Sequence, residues 1–283
     1  MKPKISVVQV TNRYGGFDVI YNTLKRQTFK DWELIYYDTI CDKRRDAVQA
    51  YCKGDPRVKH YQQPPKDPKA KTWLAHAENG AIKHATGDLV VFLQDFIYIQ
   101  ADALEKYWLQ YQTNPKFLVT GVGHQYGSPG KADIADLNGL TTLFSTPFRG
   151  LPIGVVWQDP RMRTDLGSFY PCQPADIEFN FCAVPRQALL DVGGCDEEYD
   201  YIGFAFDNCS VAERAFILGY QPYIDQSNES FSINSDAWSK SSAKTDDNFI
   251  AIATFHQNRI NDIKHGKYPV KLPYLDDIPT KNI

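Results

Sequence analysis

Apolar runs and helix-spaced apolar positions alternate along the first hundred residues. ISVVQV at 5–10 is a largely β-branched run, the pattern of a parallel strand covered on both faces. Gly15-Gly16 break it, and FDVIYNTLKRQ (17–27) carries Phe17, Ile20, Tyr21 and Leu24 at helical spacing. WELIYYD (32–38) predicts the next strand, KRRDAVQAYCK (43–53) a helix stopped by Gly54, and RVKHY (57–61) a short strand. A Pro- and Lys-rich loop leads into a helix at 72–85, with Gly87 in the place of a left-handed C-cap. DLVVFL (88–93) is the fourth strand. This βαβαβ order predicts an α/β fold, an open and mostly parallel twisted sheet flanked by helices.

Beyond residue 100 the signal thins. A helix at 102–113 and a strand at 116–124 precede residues 125–176, rich in Gly, Pro and Asp, which read as an inserted functional loop or lid. Order resumes at 177–194 as a strand and a short helix with Pro185 at its start. SVAERAFILG (210–219) shows Ser210 and Glu213 in capping-box spacing and a closing Gly219. The tail predicts one helix at 246–263. The domain reading is a single unit over 1–230, with halves at 1–100 and 101–230, and 231–283 as an extension packed on it.

Composition adds limits. With 31 basic and 34 acidic residues the net charge is −3, which leaves no electrostatic footprint for nucleic acid. Six cysteines in 283 residues, without a CxxC pair or zinc-type spacing, read as reduced thiols of a cytoplasmic protein. No segment approaches the ~20 apolar residues that span a bilayer. The expectation is a soluble protein, peripheral to a membrane at most.

In an open sheet of this kind ligands bind beyond the carboxyl ends of the strands. Those ends carry Thr11-Asn12-Arg13, Asp38 to Asp42 and Gln94-Asp95-Phe96. Three blocks then add up to a resemblance. ISVVQVTNRYGGFDVIYNTLKRQTFKDWELIYYD resembles the opening of family 2 glycosyltransferases of the GT-A fold. ENGAIKHATGDLVVFLQD is similar to the family's block ending in Asp-x-Asp, and NFCAVPRQALLDVGGCDEEYDYIGFAFDNCSVAERAFILGY to its acceptor-side block. Together they span about residues 5–223.

The resemblance implies an enzyme that moves a sugar from a nucleoside-diphosphate sugar to a hydroxyl acceptor (a glycan, a lipid-linked glycan or another polymer), inverting by direct displacement. Thr11, Asn12, Arg13 and Asp38 would line the nucleotide pocket, and Gln94 and Asp95 the diphosphate region. Family members carry Asp-x-Asp there to hold Mn2+ or Mg2+, whereas this chain reads Gln94-Asp95-Phe96. Three readings stay open: a metal held by Asp95 with a distant partner such as His256; basic side chains such as Lys69, Lys71 or Arg161 in its place; or a protein that binds a nucleotide sugar poorly or not at all, a catalytically weak or inactive module of the same fold. Asp207 matches the general base that accepts the proton of the attacking hydroxyl. Trp157 and Arg161 are candidate lid residues, and Asp196 belongs to a turn that approaches the acceptor.

Overall fold

The computed structural model describes residues 2–13, 15–126, 155–233 and 246–278. β1 (Ile5–Thr11) lies between β2 (Trp32–Asp38) and β4 (Leu89–Leu93), parallel to both, and β2 pairs in parallel with β3 (Val58–Gln62). Double coverage explains the apolar runs: every residue of β2 and β4 is buried. The sheet continues through β9 (Phe181–Pro185), antiparallel to β4, and then β6 (Phe117–Tyr126), β10 (Gln221–Ile233) and β5 (Ile97–Ile99). β7 (Val155–Gln158) and β8 (Phe169–Pro171) pair off this path, with β6 and β10.

Alternation along the strands sorts side chains between two cores. Val8, Ile35, Val90 and Phe92 pack beneath α3 (Leu74–His84), α5 (Arg186–Val192) and α7 (Asp207–Ile217). Ile5, Val7, Leu34, Tyr36, Leu89 and Val91 pack beneath α1 (Phe17–Lys25), α2 (Cys41–Tyr51) and α4 (Ala103–Thr113). The same period of two carries Gln9, Asp38 and Asp95 onto the α1/α2 side at the strand ends.

The C-terminal part packs on this frame. After the short α6 (Tyr199–Ile202), α8 (Asp246–Lys264) contacts α6 and α7. Arg259 on α8 pairs with Asp196 at 3.3 Å and with Glu198, and lies 3.5 Å over the Tyr268 ring. Further on, the Leu272 N–H donates to the Val192 carbonyl at 2.9 Å. A Cβ on Gly193 would meet the Leu272 carbonyl oxygen at 1.7 Å, so this position takes only glycine. Among the described residues no helix is long and apolar enough to cross a membrane.

Three local expectations differ from the structure. Gly87 is not a left-handed cap, because α3 ends at His84 and its C-cap, Ala85, has extended backbone. Gly87 instead lets β1 come close: a Cβ there would lie 2.6 Å from the Ser6 nitrogen. Ser210 does not cap α7. The helix begins at Asp207, three residues earlier, with Phe206 at the N-cap and no side-chain cap bond, and Ser210 is buried within it. The helix expected at 43–53 runs from Cys41 and ends at Tyr51, before Gly54.

Candidate active site

The carboxyl ends of β1, β2 and β4 meet in a buried set of charges. The Asp38 carboxylate, fully enclosed, receives Arg44 Nε at 2.6 Å, shares a hydrogen bond with His60 Nε2 at 2.9 Å, and accepts the Ile40 N–H at 2.9 Å. Burial works against its charge, but the hydrogen bonds from His60 and Arg44 more than offset this, and its pKa falls below the ordinary value. Arg44 also donates through Nη1 to the Arg13 carbonyl at 3.0 Å, tying α2 to the loop after β1. Asp38 therefore shapes this corner from within.

Asp95 follows β4 on the same side. Gln9 Nε2 donates to its Oδ1 at 2.9 Å, and Arg13 Nε lies 3.8 Å from its Oδ2. Burial raises its pKa, with Arg13, Thr11 and Gln9 pulling the other way. The Gln94 N–H donates to the Asn180 carbonyl at 3.0 Å, joining the strand end to the approach to β9. Phe96 is buried in left-handed backbone (φ 60°) with its ring against Gly16. Thr11 is buried and its Oγ1 accepts the Arg13 N–H at 3.2 Å, while Asn12 is exposed.

A second group forms where α3 and α7 begin. Both helices start on the carboxyl side of the sheet, because α3 follows the parallel strand β3 and α7 leads into the parallel strand β10. Asp207, the first residue of α7, lines a shallow hollow with Thr72, Tyr199, Asp200 and Gly203–Ala205. Its carboxyl is hydrogen-bonded to that of Glu78 on α3, which needs a proton on one of them. Burial and the neighbouring Asp207 charge raise the Glu78 pKa well above normal, so Glu78 holds the proton. Cys195 Sγ donates to Glu78 Oε2 at 3.1 Å. Burial, reinforced by the Asp200 charge, lifts Asp207 to about 6, ionised yet basic near neutral pH.

Asp200 organises the rim of this hollow. Its Oδ1 accepts Thr72 Oγ1 at 2.7 Å and the Leu74 N–H at 2.8 Å, and its Oδ2 accepts the His76 N–H at 3.0 Å and pairs with His76 Nδ1 at 2.8 Å. It thus caps α3 from a remote part of the chain, where the local N-cap residue, Trp73, supplies no side-chain bond. Burial lowers the His76 pKa, but hydrogen bonds to Asp200 and Glu197 overcome it and raise the imidazole to about 9. His76 stacks on Trp73, ring centroids 3.9 Å apart.

The other expected residues fall outside these two groups. Arg161 is held by Asp159 in a fork at 2.9 and 2.6 Å and by the Asp176 carbonyl at 2.5 Å, so its guanidinium is committed to its own loop. Trp157 has its backbone in β7, and its side chain lies outside the described residues. Asp196 is buried in the turn locked by Arg259. His256 shares a 2.7 Å hydrogen bond with Tyr199 Oη, stacks on Phe206 at 4.9 Å, and has its pKa lowered by burial. The expected Asp95–His256 metal pair is not assembled, and among the described residues no three His, Cys, Asp or Glu side chains could hold a metal ion.

Arg44, Gln9 and Glu78 were not among the residues singled out from sequence, and Asp200 stood out only as one more acid after Asp196. Two of the first three left a trace. Arg44 falls on the buried stripe of α2 with Cys41 and Val48, and Glu78 among Ala75, Ala77, Ala81 and Ile82 on α3. A charge on an apolar stripe needs a buried partner.

Known proteins agree with this architecture. Residues 7–189, more than half of the chain, match the Glycosyl transferase family 2 model, and the chain belongs to that family. No curated protein sequence matches it significantly. Among solved structures, GalNAc-T7, crystallised with UDP, GalNAc and Mn2+, superposes with a TM-score of 0.63 at 14% identity over 96% of this chain. The chain spans about half of that protein (52%). Residues 1–349 of TarS from S. aureus, in complex with UDP, superpose with a TM-score of 0.54 at 14% identity, covering 92% of this chain and 72% of that one. The fold is GT-A.

Proposed function

We propose that this protein is a glycosyltransferase that moves a sugar from a nucleoside-diphosphate sugar to a hydroxyl acceptor with inversion, and that Asp207 is its base. The acceptor oxygen attacks the anomeric carbon while the bond from that carbon to the diphosphate oxygen breaks. The bonding pair leaves with the diphosphate, and the hydroxyl proton passes to the Asp207 carboxylate. The observation that carries this reading is Asp207 itself: a buried carboxyl with a pKa of about 6, lining a hollow on the carboxyl side of the sheet. Glu78, protonated, hydrogen-bonds Asp207 and holds it in place.

The donor would lie across the ends of β1, β2 and β4, with Thr11, Asn12 and Arg13 at the nucleotide and Asp95 beside the diphosphate. Family membership supports this, as does UDP in both neighbouring structures. Asp38 would contribute by fixing the pocket wall through Arg44. A divalent ion accompanies UDP in the GalNAc-T7 structure, but the described residues here do not fit one. A hard cation wants several oxygen ligands, whereas Asp95 stands without a carboxylate neighbour at 94 or 96 and has a guanidinium on one oxygen.

The test is incubation with UDP-, GDP- and dTDP-sugars, following release of free nucleoside diphosphate with and without candidate acceptors. Release by the wild type and its loss in Asp207→Asn, with nucleotide binding retained, is the expected result. An active Asp207→Asn protein removes the base assignment.

A further inference from the structure

Asp95 has a cation beside it already, and that cation belongs to the chain. We propose that Arg13, oriented by Asp95, takes the place of the divalent ion at the donor diphosphate, so that nucleotide binding is independent of metal. The inference rests on the donor site proposed above and concerns how the phosphates are held there.

Four observations point to it. The Arg13 guanidinium lies 3.8 Å from the Asp95 carboxylate, and the Arg13 side chain is the more exposed of the two, 24% against 9%. Arg13 Nη1 has no hydrogen-bond partner among the described residues, nor does Arg44 Nη2, although Arg44 is only 1% exposed. Native structures rarely leave buried guanidinium donors unpaired, and such donors mark a place for an anion. The two arginines are joined, since Arg44 donates to the Arg13 carbonyl.

The loop carrying Arg13 also leads into α1 through Gly15 and Gly16, at φ of 77° and 87°. A divalent ion at Asp95 would be placed against Arg13, at like-charge cost. Gln94 and Phe96, which replace family carboxylates, take no negative charge into the site. An arginine fork matches phosphate geometry in a way that the expected lysines need not.

The experiment is calorimetric titration of the wild-type protein with UDP, GDP and dTDP, in EDTA and then in Mn2+, with no acceptor and no turnover. The proposal predicts that the tightest of the three binds in EDTA within about twofold of its affinity in Mn2+. Arg13→Gln should weaken it by about ten- to a hundredfold, the range for charge-assisted hydrogen bonds, with Arg13→Lys recovering part. Binding only in Mn2+ overturns the proposal and leaves the donor site standing, as does wild-type affinity in a folded Arg13→Gln protein. No binding of any nucleotide in either buffer overturns the donor site and the proposal together. The EDTA comparison is made on the wild type and needs no variant to fold.

Discussion

Replacing Asp200 by Asn tests whether the rim of the hollow is built as described. The carboxylate caps α3 through the Leu74 and His76 N–H groups and raises the His76 pKa to about 9. A cap is worth about 1 kcal/mol. The interval between 6.5 and about 9 corresponds to about 3 kcal/mol of pairing at full protonation, and about 2.5 at pH 7. Glu197, 2.8 Å from His76 Nε2, retains part of that in the variant. Asp200→Asn is therefore expected to lose about 2–4 kcal/mol at pH 7. The sign with pH follows from the raised imidazole pKa: its contribution is complete below about 6.5 and disappears as pH rises through about 9. Asp200 itself, with a lowered pKa, contributes above its unfolded value near 3.8 and loses that as the solution is acidified. Urea unfolding of both proteins at pH 6 and pH 9.5 measures this. The wild type should lose about 3 kcal/mol more than a protein without the pair, and the variant roughly half as much. Parallel pH dependence in the two proteins would show that Asp200 does not hold the His76 charge.

Other expectations concern the site and its scaffold. If Asp207 is the base, kcat/KM falls about tenfold per pH unit below its pKa of about 6; a rate flat to pH 5 removes it. Glu78→Leu takes away the proton donor that stabilises the Asp207 charge and should move that acid limb to higher pH. Glu78→Gln, which keeps an N–H donor, should move it less, and equal shifts would show that Glu78 only fills space. Arg44→Met leaves the Asp38 charge buried with only His60 and the Ile40 N–H and should cost about 3 kcal/mol in urea unfolding. Gly16→Ala puts a Cβ at φ 87°, 2.9 Å from the Phe96 ring, with an expected loss of about 2 kcal/mol; an unchanged midpoint would mean that this turn is relaxed.

Much of the nucleotide half is legible in the chain. β1, β2 and β4 announce themselves as apolar runs because both faces are covered, and their polar ends mark the donor corner. What local pattern cannot show is which strands become neighbours. β9 enters antiparallel between β4 and β6, and nothing in FCAVP distinguishes that place from another. The acceptor side misled for a related reason. Ser210 and Glu213 have capping-box spacing, yet α7 starts earlier at Asp207 and Ser210 lies against the core. The cap of α3 is invisible locally because Asp200, 126 residues from Leu74, supplies it. Arg161, plausible as a phosphate clamp by type, is taken by Asp159 two residues away. The partners that decide a polar side chain's role are mostly distant in sequence, and only the fold brings them together.

Whether the GT-A frame here holds a working displacement site with Asp207 as its base is decided by following nucleoside diphosphate release from UDP-, GDP- and dTDP-sugars by the wild type and Asp207→Asn side by side. Release from at least one donor is expected of the wild type, and none of a variant that still binds the nucleotide. Binding without release in the wild type would contradict it and leave a nucleotide-sugar-binding module of the same fold.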